Sequence, residues 1–221
     1  MIDTKNVNIV SIKQSVCTDW LLDKHYLKRM PTISKSFGLF INNHIEGVCV
    51  FSPAIARFDL EDSPYELSRL VTNELNQKNI TSFFLAGCLN LIKDPHVVSY
   101  ADQNWGHHGY IYQATNWMYT GMSSKEKIIY VNGEETHRRT IFARYGTSSI
   151  PALIGMGYTI TFKEQEGKHR YFQVTGNKHQ KKKLRKELME KYDVLPYPKG
   201  QNSRYDAGDN IVRESYINKF F

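Results

Sequence analysis

The stretch SYADQNWGHHGYIYQATNWMYTG, residues 99–121, decides the fold. With Val97 and Val98, its first residues Ser99, Tyr100 and Ala101 read as a buried strand. A polar turn follows, carrying Asp102, Asn104, His107 and His108. The aromatic run from Ile111 to Tyr119 predicts a helix closed by Gly121. A strand that delivers several polar groups into a turn just ahead of a helix is a common way to build a site in an open α/β sheet.

The flanking segments supply the remaining strands and helices. Residues 9–12 (IVSI) read as a strand. Thr18 and Asp19 can cap a helix running through Trp20, Leu21, Leu22, His25 and Tyr26, with Pro31 as its stop. Residues 37–40 and 45–51 read as a hairpin turning at Asn42, Asn43 and His44. YELSRLVT, residues 65–72, reads as a further strand, and residues 79–82 open a long apolar helix, FFLAGCLNLIK. Residues 127–131 and 140–145 read as strands about the turn Asn132-Gly133, and residues 157–163 and 169–174 as a hairpin. Residues 178–192 form a basic helix with Leu184, Leu188 and Tyr192 on one stripe. This order predicts an α/β fold with a mixed central sheet flanked by helices and a basic C-terminal extension. Residues 1–176 are expected to form the main domain. Residues 177–221 form a basic helix and tail packed on it.

Composition narrows the function classes. A chain of 221 residues with 41% hydrophobic content can bury a sizeable core. No apolar run approaches the roughly 20 residues that span a bilayer. The N-terminus lacks the pattern of a secretion signal, so a cytoplasmic protein without membrane partners is expected. Cys17, Cys49 and Cys88 form neither a CxxC pair nor a disulfide framework, and Cys49 and Cys88 read as core residues. Residues 163–200 hold eleven Lys or Arg against five Asp or Glu, which is +6 of the net +7. A basic appendage on a nearly neutral body points to a polyanion, nucleic acid first.

Several segments in order resemble the phage Mom family of DNA adenine-modifying proteins, a family with a GNAT-like acyltransferase fold. They are His25-Tyr26 ahead of Pro31, Gly47-Val48 with Phe51, Glu66-Leu67-Ser68-Arg69, and above all SYAD…GH.G.IYQATNW.Y.G. The resemblance covers roughly residues 18–160. It implies a GNAT-like sheet and conversion of adenine N6 in phage DNA to an acylated, methylcarbamoyl-type form that protects the DNA from host restriction. It also implies acetyl-CoA or a related acyl-CoA as donor, and double-stranded DNA with a flipped adenine as acceptor.

The residues themselves support part of this. Exocyclic adenine nitrogen is a poor nucleophile, so the site needs a base or an activated electrophile. Asp102 can accept or orient the amino proton, although an Asp at a strand-to-turn junction is also an ordinary turn residue. Ser99 can donate to a developing oxyanion. Arg69 can hold a DNA phosphate, a donor carboxylate or Asp102, or form a structural ion pair. Glu66 and Arg69, three apart in a strand, are expected on opposite faces. Tyr112 and Tyr26 compete as general acid, and Asn116, one helical turn from Tyr112, shares its face. The candidate catalytic set is therefore Tyr26, Arg69, Ser99, Asp102, Tyr112 and Asn116.

Donor binding falls to Leu70, Val71 and Thr72 at a strand end and to the loop Gln77, Lys78, Asn79, Ile80, Thr81 and Ser82. A helix start can hold a phosphate. Here Ile80 stands where GNAT loops carry a glycine, so an ordinary capped helix is the alternative. His25, Tyr26, Asp102 and His107 could in principle bind iron or zinc, but their spacing supplies no positive sign of a metal, so the metal stays open and no ligand is assigned. The DNA-binding candidates are Lys178, Lys181, Lys182, Lys183, Arg185 and Lys186. Long cations bind phosphates without reading sequence. Two other functions fit the same chain: a GNAT-like acyltransferase on a small amine, protein or RNA, and a non-catalytic nucleic-acid-binding protein on that fold.

Overall fold

The computed structural model describes residues 6–73, 79–92, 95–136 and 138–200. The chain opens with strand β1 (Val7–Ser11), a 3-10 turn (Gln14–Val16), the short helix α1 (Cys17–Asp19) and a π-helical turn (Trp20–Lys24). A meander follows: β2 (Lys35–Ile41), β3 (His44–Pro53) and β4 (Tyr65–Thr72). Then come helix α2 (Ile80–Leu91), β5 (His96–Ala101), a 3-10 turn (Gln103–Trp105), α3 (Tyr110–Ala114) and β6 (Met118–Met122). An inserted lobe holds β7 (Glu126–Val131), β8 (Glu134–Thr136), α4 (Arg138–Tyr145), α5 (Ile150–Gly155) and β9 (Ile160–Gln165). The chain returns through β10 (His169–Val174) and α6 (Lys178–Lys191).

Seven strands form one mixed sheet in the order β1-β2-β3-β4-β5-β10-β6. All neighbours are antiparallel except β4 and β5. That parallel pair is short. Only Tyr65 with Val97 and Glu66 with Val98 are in register, although β4 has eight residues and β5 six. Beyond Glu66 the two strands part. At the fork the Ser99 hydroxyl lies 2.8 Å from the Leu67 carbonyl, so a side chain replaces the first missing backbone rung.

One face of the sheet is covered by α2, whose Phe84, Leu85 and Cys88 pack on Leu39, Cys49, Phe51 and Leu67. The other face is covered at one end by Cys17, Trp20 and Leu21, which pack on Val48, Val50 and Val71. At its far end Leu184, Leu188 and Tyr192 of the basic helix region pack on Val98, Phe172 and Val174. The expected stripe of α6 is thus its buried stripe. Its N-terminus is fixed by a capping box in which Asn177 and Gln180 bond reciprocally. This is the expected architecture of a mixed sheet flanked by helices.

Four local expectations are corrected. The aromatic helix stops at Ala114, because Asn116 adopts φ +58° and turns the chain. Trp117 is fully buried, and the following MYTGM forms a strand. Asn is a common left-handed helix stop, so the signal was present in the sequence. Residues 140–145 are helical, not extended, because Ile141 and Tyr145, four apart, both face the lobe core. Third, β9 and β10 do not pair with each other; β9 joins β7, and β10 lies between β5 and β6. The chain crosses between sheets at a neck where the Ser123 amide donates to the Lys168 carbonyl (2.8 Å). Gly167 passes the Ser123 carbonyl there so closely that a Cβ would collide with it. Fourth, the helix expected through Tyr26 ends at Lys24, and His25 is extended.

Candidate active site at the strand fork

The fork between β4 and β5 gathers most of the candidate residues, and a bulge in β4 explains how. Val50 pairs with Arg69, but Phe51 pairs with Leu67, so Ser68 is an extra residue. Ser52 and Val50 lie two apart and share a face of β3. Their partners Glu66 and Arg69 therefore share a face of β4, contrary to the expectation from simple alternation. Arg69 is turned to the side that also receives Tyr26.

Arg69 is 8% exposed. Its guanidinium donates to two backbone carbonyls, Ser68 (2.6 Å) and Arg29 (3.5 Å). Nε is buried without a partner, and among the described residues no carboxylate lies within ion-pairing distance. Burial draws its pKa below the ordinary range. A buried cation that lacks an anion is costly unless something else supplies one.

Tyr26 sits at the hub of an aromatic cluster. Its ring stacks on His25 (4.4 Å between centroids), lies 5.2 Å from Trp105, and meets His107 edge-on at 5.2 Å. Burial and then the Asp102 charge raise the Tyr26 pKa, against the opposing pull of Arg69, so the phenol stays protonated at neutral pH. The His25 ring is neutral. Its Nδ1 accepts the Leu27 amide at 3.1 Å, and burial, with Arg69 and His107 nearby, pushes its pKa down to about 3.

Asp102 follows β5 and is 6% exposed. Its Oδ1 accepts the Asn104 amide (3.0 Å) and side chain (2.8 Å), which makes it the cap of the 3-10 turn. Its Oδ2 lies 3.6 Å from Lys168 Nζ. One carboxylate oxygen thus builds the turn and the other meets only a long ionic contact, so both readings of this residue apply.

Ser99 and Tyr112 meet on the opposite side of the fork, their oxygens 2.8 Å apart. The serine has one proton and the Leu67 carbonyl can only accept it, so the phenol supplies the proton of the second bond. Burial raises the Tyr112 pKa well above its ordinary value. Its proton is held by Ser99, which weakens its role as general acid relative to Tyr26. Gly109, the residue before α3, has φ +78°, and a Cβ there would collide with the Tyr171 ring. Gly109→Ala is therefore expected to destabilise the fold by about 2–4 kcal/mol, measured by chemical denaturation. A loss below 0.5 kcal/mol would contradict this packing.

Asn116 does not join this set. It lies past the end of α3, where its carbonyl accepts Arg185 (3.2 Å). It lines a groove of about 390 Å³ between α2 and β10 with Asn79, Ser82, Asn90, Gln173 and Lys181. Of the donor-binding candidates, only Asn79 and Ser82 face this groove. Val71 and Ile80 turn into the core, Leu70 packs against it, and Thr72 and Thr81 lie 3.3 Å apart, hydroxyl to hydroxyl. Gln77 and Lys78 lie outside the described residues. A wider cavity of about 590 Å³ follows β1 and β2 at the sheet's far edge and contains none of these groups.

On α6, Lys178, Lys182, Lys183, Arg185 and Lys186 are exposed, and Lys181 is half-buried at the groove. Lys186 approaches Glu190 at 3.8 Å. Among the described residues no group of three or more His, Cys, Asp or Glu side chains is arranged to hold a metal. No helix there is long and apolar enough to cross a membrane.

The fold and fork define an α/β protein with an open mixed sheet and a cluster of polar and aromatic side chains where the parallel strands β4 and β5 part. The chain matches the Mom protein family over residues 6–199 and belongs to that family. No curated protein matches it. Among solved structures it is similar to the crystal structure of a GNAT-family acetyltransferase from Bacillus cereus ATCC 10987. That likeness has 10% identity, covers 77% of this chain and 99% of that one, and has a TM-score of 0.43. Trp105 and His25 pack on Tyr26 at the fork and stand outside the candidate set drawn from the sequence. Trp105 carried a signal, since it lies three residues after Asp102 in the deciding motif.

Proposed function

We propose that this protein transfers an acyl-type group to the N6 amine of adenine in DNA, in the phage modification that guards DNA against restriction. The observation that carries the reading is the buried Arg69, which makes no ion pair among the described residues, beside the protonated Tyr26 and the Asp102 carboxylate. Acyl transfer to a weak amine needs two things at one point: an acceptor for the amine proton and positive charge where the carbonyl oxygen becomes negative. Asp102 Oδ2 serves the first need. The Arg69 guanidinium serves the second; Glu66 on the same face favours its charge without forming an ion pair with it, so the guanidinium can still meet a developing oxyanion.

An acyl-CoA donor fits the chemistry of the groove beside α2. The first turn of that helix, Lys181 and the Asn116 amide can hold phosphates and polar linkers. When bound, such a donor would supply an activated carbonyl, and its thiolate would leave as the free thiol on taking the Tyr26 proton, which the proton taken up by Asp102 restores. The chain's own residues orient the amine, carry its proton and shield the fork from water. The exposed face of α6 supplies sequence-independent contacts to DNA phosphates.

The direct test is mass spectrometry of nucleosides from host DNA after expression. An adenine adduct is expected with the native protein and none with Asp102→Asn. Absence of any adduct from soluble native protein would sink the reading. Changing Lys181, Lys182 and Lys183 together to Ala is expected to reduce the slope of log affinity against log salt by about 2–3. An unchanged slope would place the DNA elsewhere. Thermal shifts with acetyl-CoA and DNA separately address the rivals. Stabilisation by DNA alone favours a binding module, and stabilisation by acetyl-CoA without DNA affinity favours a small-substrate enzyme.

A further inference from the structure

Trp105 is 46% exposed, whereas Trp20 and Trp117, the other two tryptophans of the chain, are 1% and 0% exposed. An indole open over nearly half its surface is unusual next to a buried polar cluster. Its placement is rigid. The turn that carries it is closed by bonds from the Trp105 and His107 amides to the Asp102 carbonyl (3.0 and 3.2 Å) and from Gly106 to Gln103 (2.9 Å). Gly106 sits at φ +68°, and the Asp102 carboxylate locks Asn104. On one side the indole meets the Tyr26 ring at 5.2 Å. The turn therefore presents an aromatic surface at the mouth of the fork, three residues from the carboxylate.

Resting on the DNA reading above, we infer that Trp105 is the stacking platform for an extrahelical adenine at this site, with Tyr26 and His107 as its backing. A base taken out of a duplex loses its stacking and must recover it in the enzyme. Aromatic side chains supply this for any base, and their contribution survives in single strands. Trp105 offers that surface beside Asp102, so a purine stacked on it brings its exocyclic amine within the neighbourhood of Asp102 and Arg69. Trp105 is thus a substrate-binding residue and takes no part in proton movement.

The test uses the full chain and two short strands of abasic deoxyribose phosphates, one with a single central adenine and one with no base at all. Because the other two tryptophans are buried, acrylamide quenching reads Trp105. The adenine oligonucleotide is expected to protect Trp105 from quenching and to bind about tenfold or more tightly than the abasic one. Trp105→Ala is expected to erase that preference and leave affinity for the abasic strand unchanged. Trp105→Phe is expected to keep most of it. If adenine does not protect Trp105 in the native protein, or if Trp105→Ala keeps the preference, the platform assignment is overturned. An adenine adduct in host DNA would then leave the proposed function standing. If neither oligonucleotide nor duplex DNA binds and no adduct forms, both fail together.

Discussion

Replacing Arg69 by methionine is expected to give a protein that is more stable than the native one and transfers about 100- to 1000-fold more slowly. Arg69 is 8% exposed and forms no ion pair with a carboxylate among the described residues. Its two bonds go to backbone carbonyls, and Nε has none. Desolvation of such a charge is only partly offset. Exchange of buried charges for apolar side chains of similar volume is often neutral or stabilising, by about 1–4 kcal/mol. The same exchange removes the positive charge from the fork, and loss of one oxyanion-stabilising donor costs about 100- to 1000-fold in rate. Arg69→Lys keeps charge but loses the planar fork that reaches two carbonyls, and it is expected to recover little activity. Denaturation midpoints and adduct yield measured on the same preparations decide the matter. A destabilised Arg69→Met protein would mean that the arginine is a structural bolt, and one of native activity would remove it from the site.

Stability is expected to fall steeply below pH 6.5, chiefly through His25. Its folded-state pKa lies near 3, while the unfolded chain titrates near 6.5. Between these values the unfolded state binds a proton that the folded state refuses, so acid favours unfolding by about 1.4 kcal/mol per pH unit. The contribution is absent above pH 6.5. It reaches about 2 kcal/mol at pH 5 and levels off below pH 3. The geometry agrees, since Nδ1 already accepts the Leu27 amide and the ring is wedged against Tyr26. Burial lowers the pKa of His96, His107 and His169 as well, which adds in the same direction. His25→Gln should flatten the profile: the difference in unfolding free energy between native and variant should shift by about 2 kcal/mol from pH 7 to pH 5. A pH-independent difference would show that His25 can charge in place.

Much of the site was legible because its residues lie in local motifs. Asp102, His107 and the strand before them fall in one run, and the cap role of Asp102 was readable from its place after a strand. What the sequence hid was direction. Glu66 and Arg69 share a face only because Ser68 bulges, and nothing in ELSR marks the bulge. Tyr112 was placed in the right region, yet its proton is held by a serine thirteen residues away. Asn116 was placed on a helix face that ends before it.

By itself the sequence determined most strands of the main sheet, the apolar stripe of the basic helix α6, the family motif, and which polar groups gather after β5. These depend on side-chain period, caps and turn residues, which act within a few positions along the chain. Only the tertiary structure decided which strands pair, that β9 leaves the main sheet, where β4 and β5 part, and that Arg69 is buried with no ion pair among the described residues. Each of these is set by contacts between segments far apart in the chain. A one-residue bulge or a change of partner strand there redirects every side chain that follows, at little cost to the local pattern.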